Sequence, residues 1–248
     1  MSTHRIHISG EVPQAGDRAE IDGPEAHHAV RVKRLGEGDT VELINGRGWR
    51  GLGVVREIRK TGKGEWVLAA EVRQASQEAP PSPGVHVLAP APKGERLDEM
   101  IDQLSQVGAA SWAPLMTART VVSPREGKLI RAERIAAEAA KQCGRLWTME
   151  IGPPAPFAQA LARQGTRLVL ADASGGPFVH LGDTDITLLV GPEGGFADDE
   201  VRRARDAGAC VCGFGRHVMR VETAAPVAAG IIVHAADRGA SGVRALPV

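Results

Sequence analysis

Gly191-Pro192-Glu193-Gly194-Gly195-Phe196 decides the fold of this chain. It follows the apolar run Ile186-Thr187-Leu188-Leu189-Val190 and precedes the charged stretch Asp198-Asp199-Glu200-Val201-Arg202-Arg203-Ala204-Arg205. That order reads as a buried strand, a glycine turn and a helix. A second stretch of the same form lies just downstream. The short apolar run Ala209 to Phe214 leads into Gly215-Arg216-His217-Val218-Met219-Arg220-Val221-Glu222-Thr223-Ala224-Ala225, with a helix starting at Glu222 or Thr223. Two strand-to-helix turns set side by side are where an open α/β sheet places its ligands.

Upstream, Arg167 to Asp172 and Val85 to Ala89 are further apolar strands. After the latter, Leu97, Met100, Ile101, Leu104 and Val107 recur at helical spacing until Gly108. Ser123-Pro124-Arg125-Glu126 has the form of a capping box before a helix running through Cys143. Strands alternating with helices imply a mostly parallel sheet covered on both faces. Residues 77–84, Gln-Glu-Ala-Pro-Pro-Ser-Pro-Gly, cannot extend a helix or an inner strand and read as a linker. Before them, in residues 1–76, short alternating segments (41–44, 53–58, 66–72) are punctuated by turn residues. Asn45-Gly46 is a hairpin signal, and the pattern fits a small β-barrel or sandwich with one short helix near Pro24 to Val32. Residues 85–248 form the second domain.

The 248 residues carry 30 Lys+Arg against 30 Asp+Glu, so no bulk charge demands a polyanion or a membrane surface. Aromatic residues make up 3%, too few for an extended base-stacking platform. Three cysteines, Cys143, Cys210 and Cys212, support neither a disulfide framework nor a zinc site, and are expected to be buried thiols. No metal is expected, since His27 and His28 have no partner cluster. The N-terminus lacks a signal-peptide layout and no apolar run is long enough to span a bilayer, which points to a cytoplasmic protein.

Glycines at 191, 194 and 195 allow close backbone approach to a ligand, and Pro192 stiffens the turn. No Gly-Lys-Ser/Thr follows and the GxGxxG spacing is missing, so a nucleoside-containing ligand without a phosphate tail suits the loop best. In the second loop Arg220 and Glu222 stand two apart in a dense polar cluster. Each loop alone also reads as a plain turn, with Glu222 or Thr223 capping a helix and Arg220 in a surface ion pair.

Taken together, the two loops resemble the GPEGG and LG-x-x-[IV]-[LM]-R-x-[ES]-T-A signatures of the bacterial 16S rRNA uracil-N3 methyltransferases, the RsmE family of the SPOUT superfamily. His27 to Val41 resembles that family's HH-x-x-x-VLR-x-x-x-GD segment, and Ala136 to Arg145 its EA-x-x-Q-x-x-R helix. The resemblance implies a PUA-like β-barrel for RNA docking, followed by a trefoil-knotted α/β domain. That domain would bind S-adenosylmethionine and act as a homodimer on uridine 1498 of 16S rRNA, within the small ribosomal subunit. By the same resemblance Val190, Gly191, Pro192, Glu193, Gly194 and Gly195 form one wall of the cofactor site. Phe214, Gly215, Val218 and Met219 form the other, with Leu170, Ala171 and Thr223 as neighbours.

Arg220 and Glu222 then face the uridine, Glu222 as base or orienting group and Arg220 against charge on the uracil oxygens. Asp102, Gln103, Gln106 and Ala118 stand where the family often has other polar residues, and Val221 where it has threonine. RNA phosphates would meet Arg31, Lys33 and Arg34, and a second cluster of Arg47, Arg50, Arg56, Arg59, Lys60 and Lys63 that has Glu57 alone against it. Arg125, Lys128, Arg131 and Arg134 would extend the track. The competing readings are an RNA-binding module without catalysis, methylation of a different nucleotide, and a nucleotide-dependent enzyme of other chemistry.

Overall fold

The structure, a computed structural model, describes residues 4–62, 64–120, 123–179 and 182–239. Lys63, one of the expected cationic contacts, lies outside them. The chain divides into two units: Met1–Pro80 with Ala140–Trp147, and Pro81–Ala139 with Thr148–Val248.

In the first unit β1 (His4–His7), β2 (Arg18–Ile21), β3 (Thr40–Ile44), β4 (Trp49–Lys60) and β5 (Trp66–Gln77) form one sheet in the order β1-β3-β4-β5-β2. β1 pairs parallel to β3, and the other pairs are antiparallel. The hairpin signal acts as the residues suggest: the Asn45 side-chain oxygen accepts from the Arg47 and Trp49 amides at 2.8 and 3.1 Å and turns β3 into β4. The short helical segment consists of α1 (Gly23–His27) and a π turn over His28–Val32. Ile6, Val41, Leu43, Trp49, Val55, Leu68 and Val72 fill the core.

The long strands bring carboxylates beside the arginines, which a count along one strand does not reveal. Glu42 is 4% exposed and sits between the guanidinium groups of Arg5 (2.5 Å) and Arg50 (2.6 Å). Arg59 pairs with Glu20 and Glu57, and Arg18 also reaches Glu57. Arg56 hydrogen-bonds Glu71 at 2.7 Å, and this bond holds the Glu71 carboxyl below its usual range. Of the two expected cationic clusters, Arg31, Lys33, Arg34 and Arg47 are exposed without an ion pair among the described residues, and Lys60 lies over the Trp66 ring. Arg50, Arg56 and Arg59 are largely neutralised.

The second unit is built on β6 (Val85–Ala89), β7 (Ser111–Met116), β8 (Glu150–Ile151), β10 (Arg167–Pro177), β11 (Ile186–Val190) and β12 (Cys210–Gly213), in the order β12-β10-β11-β6-β7-β8. β9 (Ala155–Pro156) adds to β7. All its pairs are parallel among the described residues. α2 (Arg96–Val107), α3 (Glu126–Cys143) and α6 (Val221–Gly239) supply residues to the core that holds Val87, Val169, Leu188 and Val190. α4 (Phe157–Leu161) and α5 (Asp198–Asp206) cover Leu88, Leu170 and Leu189 on the other face. Successive residues of each strand therefore enter opposite cores, as a period of two requires. α2 buries the periodic Leu97, Met100, Ile101 and Leu104 as the spacing predicts, and Ser105 donates to the Ala136 carbonyl at 3.1 Å.

Two local expectations change. α3 begins at Glu126, with Arg125 rather than Ser123 before its first residue. Cys143 is exposed, whereas Cys212 is buried with its sulfur 3.2 Å from that of Cys210. Burial pushes the Cys212 thiol up to about 12, so it stays protonated at neutral pH.

Replacing Glu42 leaves two guanidinium groups facing one another with no counter-charge. Glu42→Ala is expected to cost about 1–3 kcal/mol, discounted because both arginines keep partial access to water. Urea unfolding is the measurement. Arg56→Ala, which removes an exposed pair, is expected to stay within about 0.5 kcal/mol of the parent.

Candidate functional site

A cleft of about 190 Å³ opens at the carboxyl ends of β11 and β12, beside the middle of β10. Its walls come from three segments. Ala171, Asp172 and Ala173 belong to β10. Val190, Gly191, Pro192, Glu193, Gly195 and Phe196 follow β11. Gly213, Phe214, Gly215, His217, Val218, Met219 and Ala224 run from β12 into α6. The two glycine-containing turns meet at one cleft although their strands are not adjacent, because β10 pairs with both β11 and β12 and separates them. Asp172 and Ala173 thereby enter the site, though neither belongs to a signature. The only signal for them in the sequence is their place at the end of the apolar run that begins at Arg167.

Parallel pairing puts Leu170 opposite Leu189 and Ala171 opposite Val190. Leu170 is fully buried in the α4/α5 core, so its side chain lies on the face away from the cleft, while Ala171, expected beside it, lines the cleft. Gly194 and Thr223, also expected as cofactor contacts, do not line the cleft. The carbonyls of Gly194 and Phe196 instead accept from the Arg119 guanidinium, at 2.5 and 3.3 Å. Thr223 is exposed in the first turn of α6, where its amide donates to the Arg220 carbonyl.

The loop after β11 is held from behind. Glu200, 5% exposed, accepts from the Ala118 amide through one oxygen (2.8 Å) and from the Ala197 amide through the other (2.9 Å). It therefore ties the segment after β7 to the start of α5, as a glutamate in a first helical turn is placed to do. Gly195 has φ 69, a left-handed conformation that side chains strain against. On the opposite wall the bulge in β10 brings Gly175 so close to the Val211 carbonyl that a Cβ there would sit 2.2 Å from it. Phe178, just past β10, stacks on Phe214 with centroids 5.8 Å apart.

Glu222 stands between Met219 and Ala224, both of which line the cleft. Its side chain is 12% exposed, Oε1 lies 3.6 Å from the Arg96 Nε, and Oε2 is buried without a hydrogen-bond partner among the described residues. Arg220 is exposed and forms no ion pair among them. Pro226, inside α6, has no N–H for the Glu222 carbonyl four residues back. Among the described residues no group of three or more His, Cys, Asp or Glu is arranged to hold a metal, and no helix is long and apolar enough to cross a membrane.

The cleft suits a ligand that is part apolar and part cationic. Val190, Pro192, Phe214 and Met219 supply apolar surface, while Asp172 and Glu193 supply carboxylates. Comparison with known proteins agrees with that class. Residues 80–233 match the RNA methyltransferase domain family and residues 21–63 the RNA methyltransferase PUA domain family. The chain is thus an RNA methyltransferase domain joined to a PUA domain.

Closer relatives narrow this further. The chain is 30% identical over 216 residues to the ribosomal RNA small subunit methyltransferase E of Synechocystis sp., spanning 82% of this chain and 69% of that protein. It is 26% identical over 241 residues to the Bacillus subtilis protein of the same name, spanning 90% and 93%. A methyltransferase of Legionella pneumophila, solved in complex with the cofactor S-adenosylmethionine, superposes with a TM-score of 0.79 at 27% identity, covering 95% of this chain and 99% of that one. The ribosomal RNA small subunit methyltransferase E of Neisseria gonorrhoeae, bound to S-adenosylmethionine, shares the fold with a TM-score of 0.77 at 21% identity, covering 93% and 96%. This chain belongs to the ribosomal RNA small subunit methyltransferase E family.

A side chain at Gly195 would strain the loop that forms one wall of the cleft. Gly195→Ala is expected to let the empty loop relax out of the left-handed turn, so that regaining it on binding costs about 1–2 kcal/mol and weakens S-adenosylmethionine affinity about tenfold while the melting temperature changes little. Isothermal calorimetry reads it directly.

Proposed function

We propose that this protein transfers a methyl group from S-adenosylmethionine to N3 of one uridine in 16S rRNA, uridine 1498 by family resemblance, with the small ribosomal subunit as its context. The observation that carries the chemistry is Glu222: a half-buried residue whose buried Oε2 is unengaged among the described residues, in the segment between two residues that line the cleft. When bound, S-adenosylmethionine supplies an electrophilic methyl on a positively charged sulfonium.

The chain's own residues do the rest. The loops after β11 and β12 fix the approach direction, and alignment of this kind supplies much of such a rate. Asp172 and Glu193 oppose cationic charge in the cleft. Glu222 takes or orients the N3 proton, and the free guanidinium of Arg220 stabilises charge that develops on the uracil oxygens.

The same reading extends to assembly, threading and location. α2 and α6 present an apolar groove lined by Val107, Pro226, Val227, Gly230 and Ile231, in which Val227 and Ile231 are 37% and 41% exposed. That face is the proposed homodimer contact. The trefoil knot expected of the family and a cytoplasmic location belong to the same proposal and rest on family membership. RNA docking is assigned to the first unit, through the cations that have no carboxylate partner among the described residues: Arg31, Lys33, Arg34, Arg47 and Lys60.

Glu222→Gln is expected to lower methyl transfer about 10²–10⁴-fold and Arg220→Ala about 10²–10³-fold, with S-adenosylmethionine affinity retained in both. Radiolabelled methyl incorporation into unmethylated small subunits measures this; full turnover in both variants would refute the assignment. On the RNA side, Arg31→Glu with Lys33→Glu should weaken binding and flatten the dependence of log affinity on log salt. The slope is expected to fall by about 0.7–0.9 per lost phosphate contact. Arg56→Glu should change the slope less.

A further inference from the structure

α2 starts at Arg96, a short distance beyond the carboxyl end of β6, and α6 starts at Val221. Both helices bury residues in the same core, Leu97 and Met100 from one, Val221 and Ala225 from the other. Their first turns meet through charge: Arg96 Nε lies 3.6 Å from Glu222 Oε1. The pair is asymmetric, with Glu222 12% and Arg96 49% exposed. Glu222 therefore bears most of the desolvation, and Arg96 is the one cation given to it among the described residues. Asp98, on the first turn of α2, is itself engaged by Arg131 at 2.6 Å, and Arg96 pairs with Glu222. A glutamate has several rotatable bonds and two equivalent oxygens, so an unanchored one would spread over many orientations. A single guanidinium at Oε1 selects which oxygen stays unengaged, and Oε2 is the buried one without a partner.

We propose that Arg96 is a positioning residue that acts through Glu222, holding Oε1 so that Oε2 stays unpaired and oriented for the uracil N3–H. The inference rests on the reading of Glu222 given above. Arg96 sits in Lys93-Gly94-Glu95-Arg96, outside both signature loops. Its charge is needed at one point, so lysine is expected to substitute in part where alanine does not.

The test uses full-length protein, unmethylated small ribosomal subunits and labelled methyl transfer, with Arg96→Ala, Arg96→Lys, Glu222→Gln and the double variant Arg96→Ala/Glu222→Gln. Arg96→Ala is expected to lower kcat about tenfold or more, while KM for the subunit stays within about twofold and S-adenosylmethionine affinity by calorimetry is unchanged. Arg96→Lys should recover most of that loss, and the double variant should be no slower than Glu222→Gln alone. Losses that multiply in the double variant, or an effect confined to KM, would overturn the proposal by making Arg96 an independent RNA contact. An impaired Glu222→Gln beside an unimpaired Arg96→Ala removes this inference alone. Wild-type turnover in Glu222→Gln removes the functional reading and this inference together.

Discussion

Everything at the cleft depends on one strand being hydrogen-bonded on both sides. β10 pairs in parallel with β11 along Arg167 to Ala171 and with β12 from Val169 onward, so the carboxyl ends of β11 and β12 emerge on either side of Ala171 to Ala173. Parallel pairing also sets which residues face which core. Val169 and Leu188 go to one side, Leu170 and Leu189 to the other, and the last residues, Ala171 and Val190, fall at the cleft. Neither glycine turn could form a wall without that common edge. Past it, β10 bulges, and the close approach of Gly175 to the Val211 carbonyl keeps the segment after β12 against it.

Burial is distributed unevenly among the charged groups, and that unevenness separates structural from chemical roles. Glu42 and Glu200 are nearly inaccessible, and each has both oxygens engaged, by arginines in the first case and backbone amides in the second. Such carboxylates hold segments in place. Glu222 is almost as shielded but is only half engaged. A shielded acceptor with spare capacity is costly to keep unless something uses it.

The sequence was legible where a pattern is local. The period of α2, the Asn45 turn and the strand-glycine-helix order of the two loops each depend on residues close in the chain, and each appears in the structure. It was illegible where meaning depends on cross-strand neighbours. The cations of β4 looked unopposed because Glu20, Glu42 and Glu71 lie on other strands. β7 escaped notice because Pro114 interrupts its apolar run, although the strand pairs with β6. Asp172 and Arg96 carry no motif of their own and gain a role only when distant segments meet. The resemblance names Leu170 beside the cofactor, but strand alternation turns its side chain into the opposite core.

The last turn of α3 and the residues after it, Ala140–Trp147, pack with the first unit even though the chain around them belongs to the second. Gly48 donates to the Leu146 carbonyl, Trp147 bridges to Arg47, and Lys141 pairs with Glu25 at 2.7 Å. The border between the units is therefore crossed three times by the chain rather than once. Genetic exchange at the proline-rich stretch would carry the five strands away from a piece they are packed with. Inheritance of the two units is thus expected to be joint: lineages that recombine the N-terminal sheet must bring a matching helix end with it, or lose the contacts that complete it.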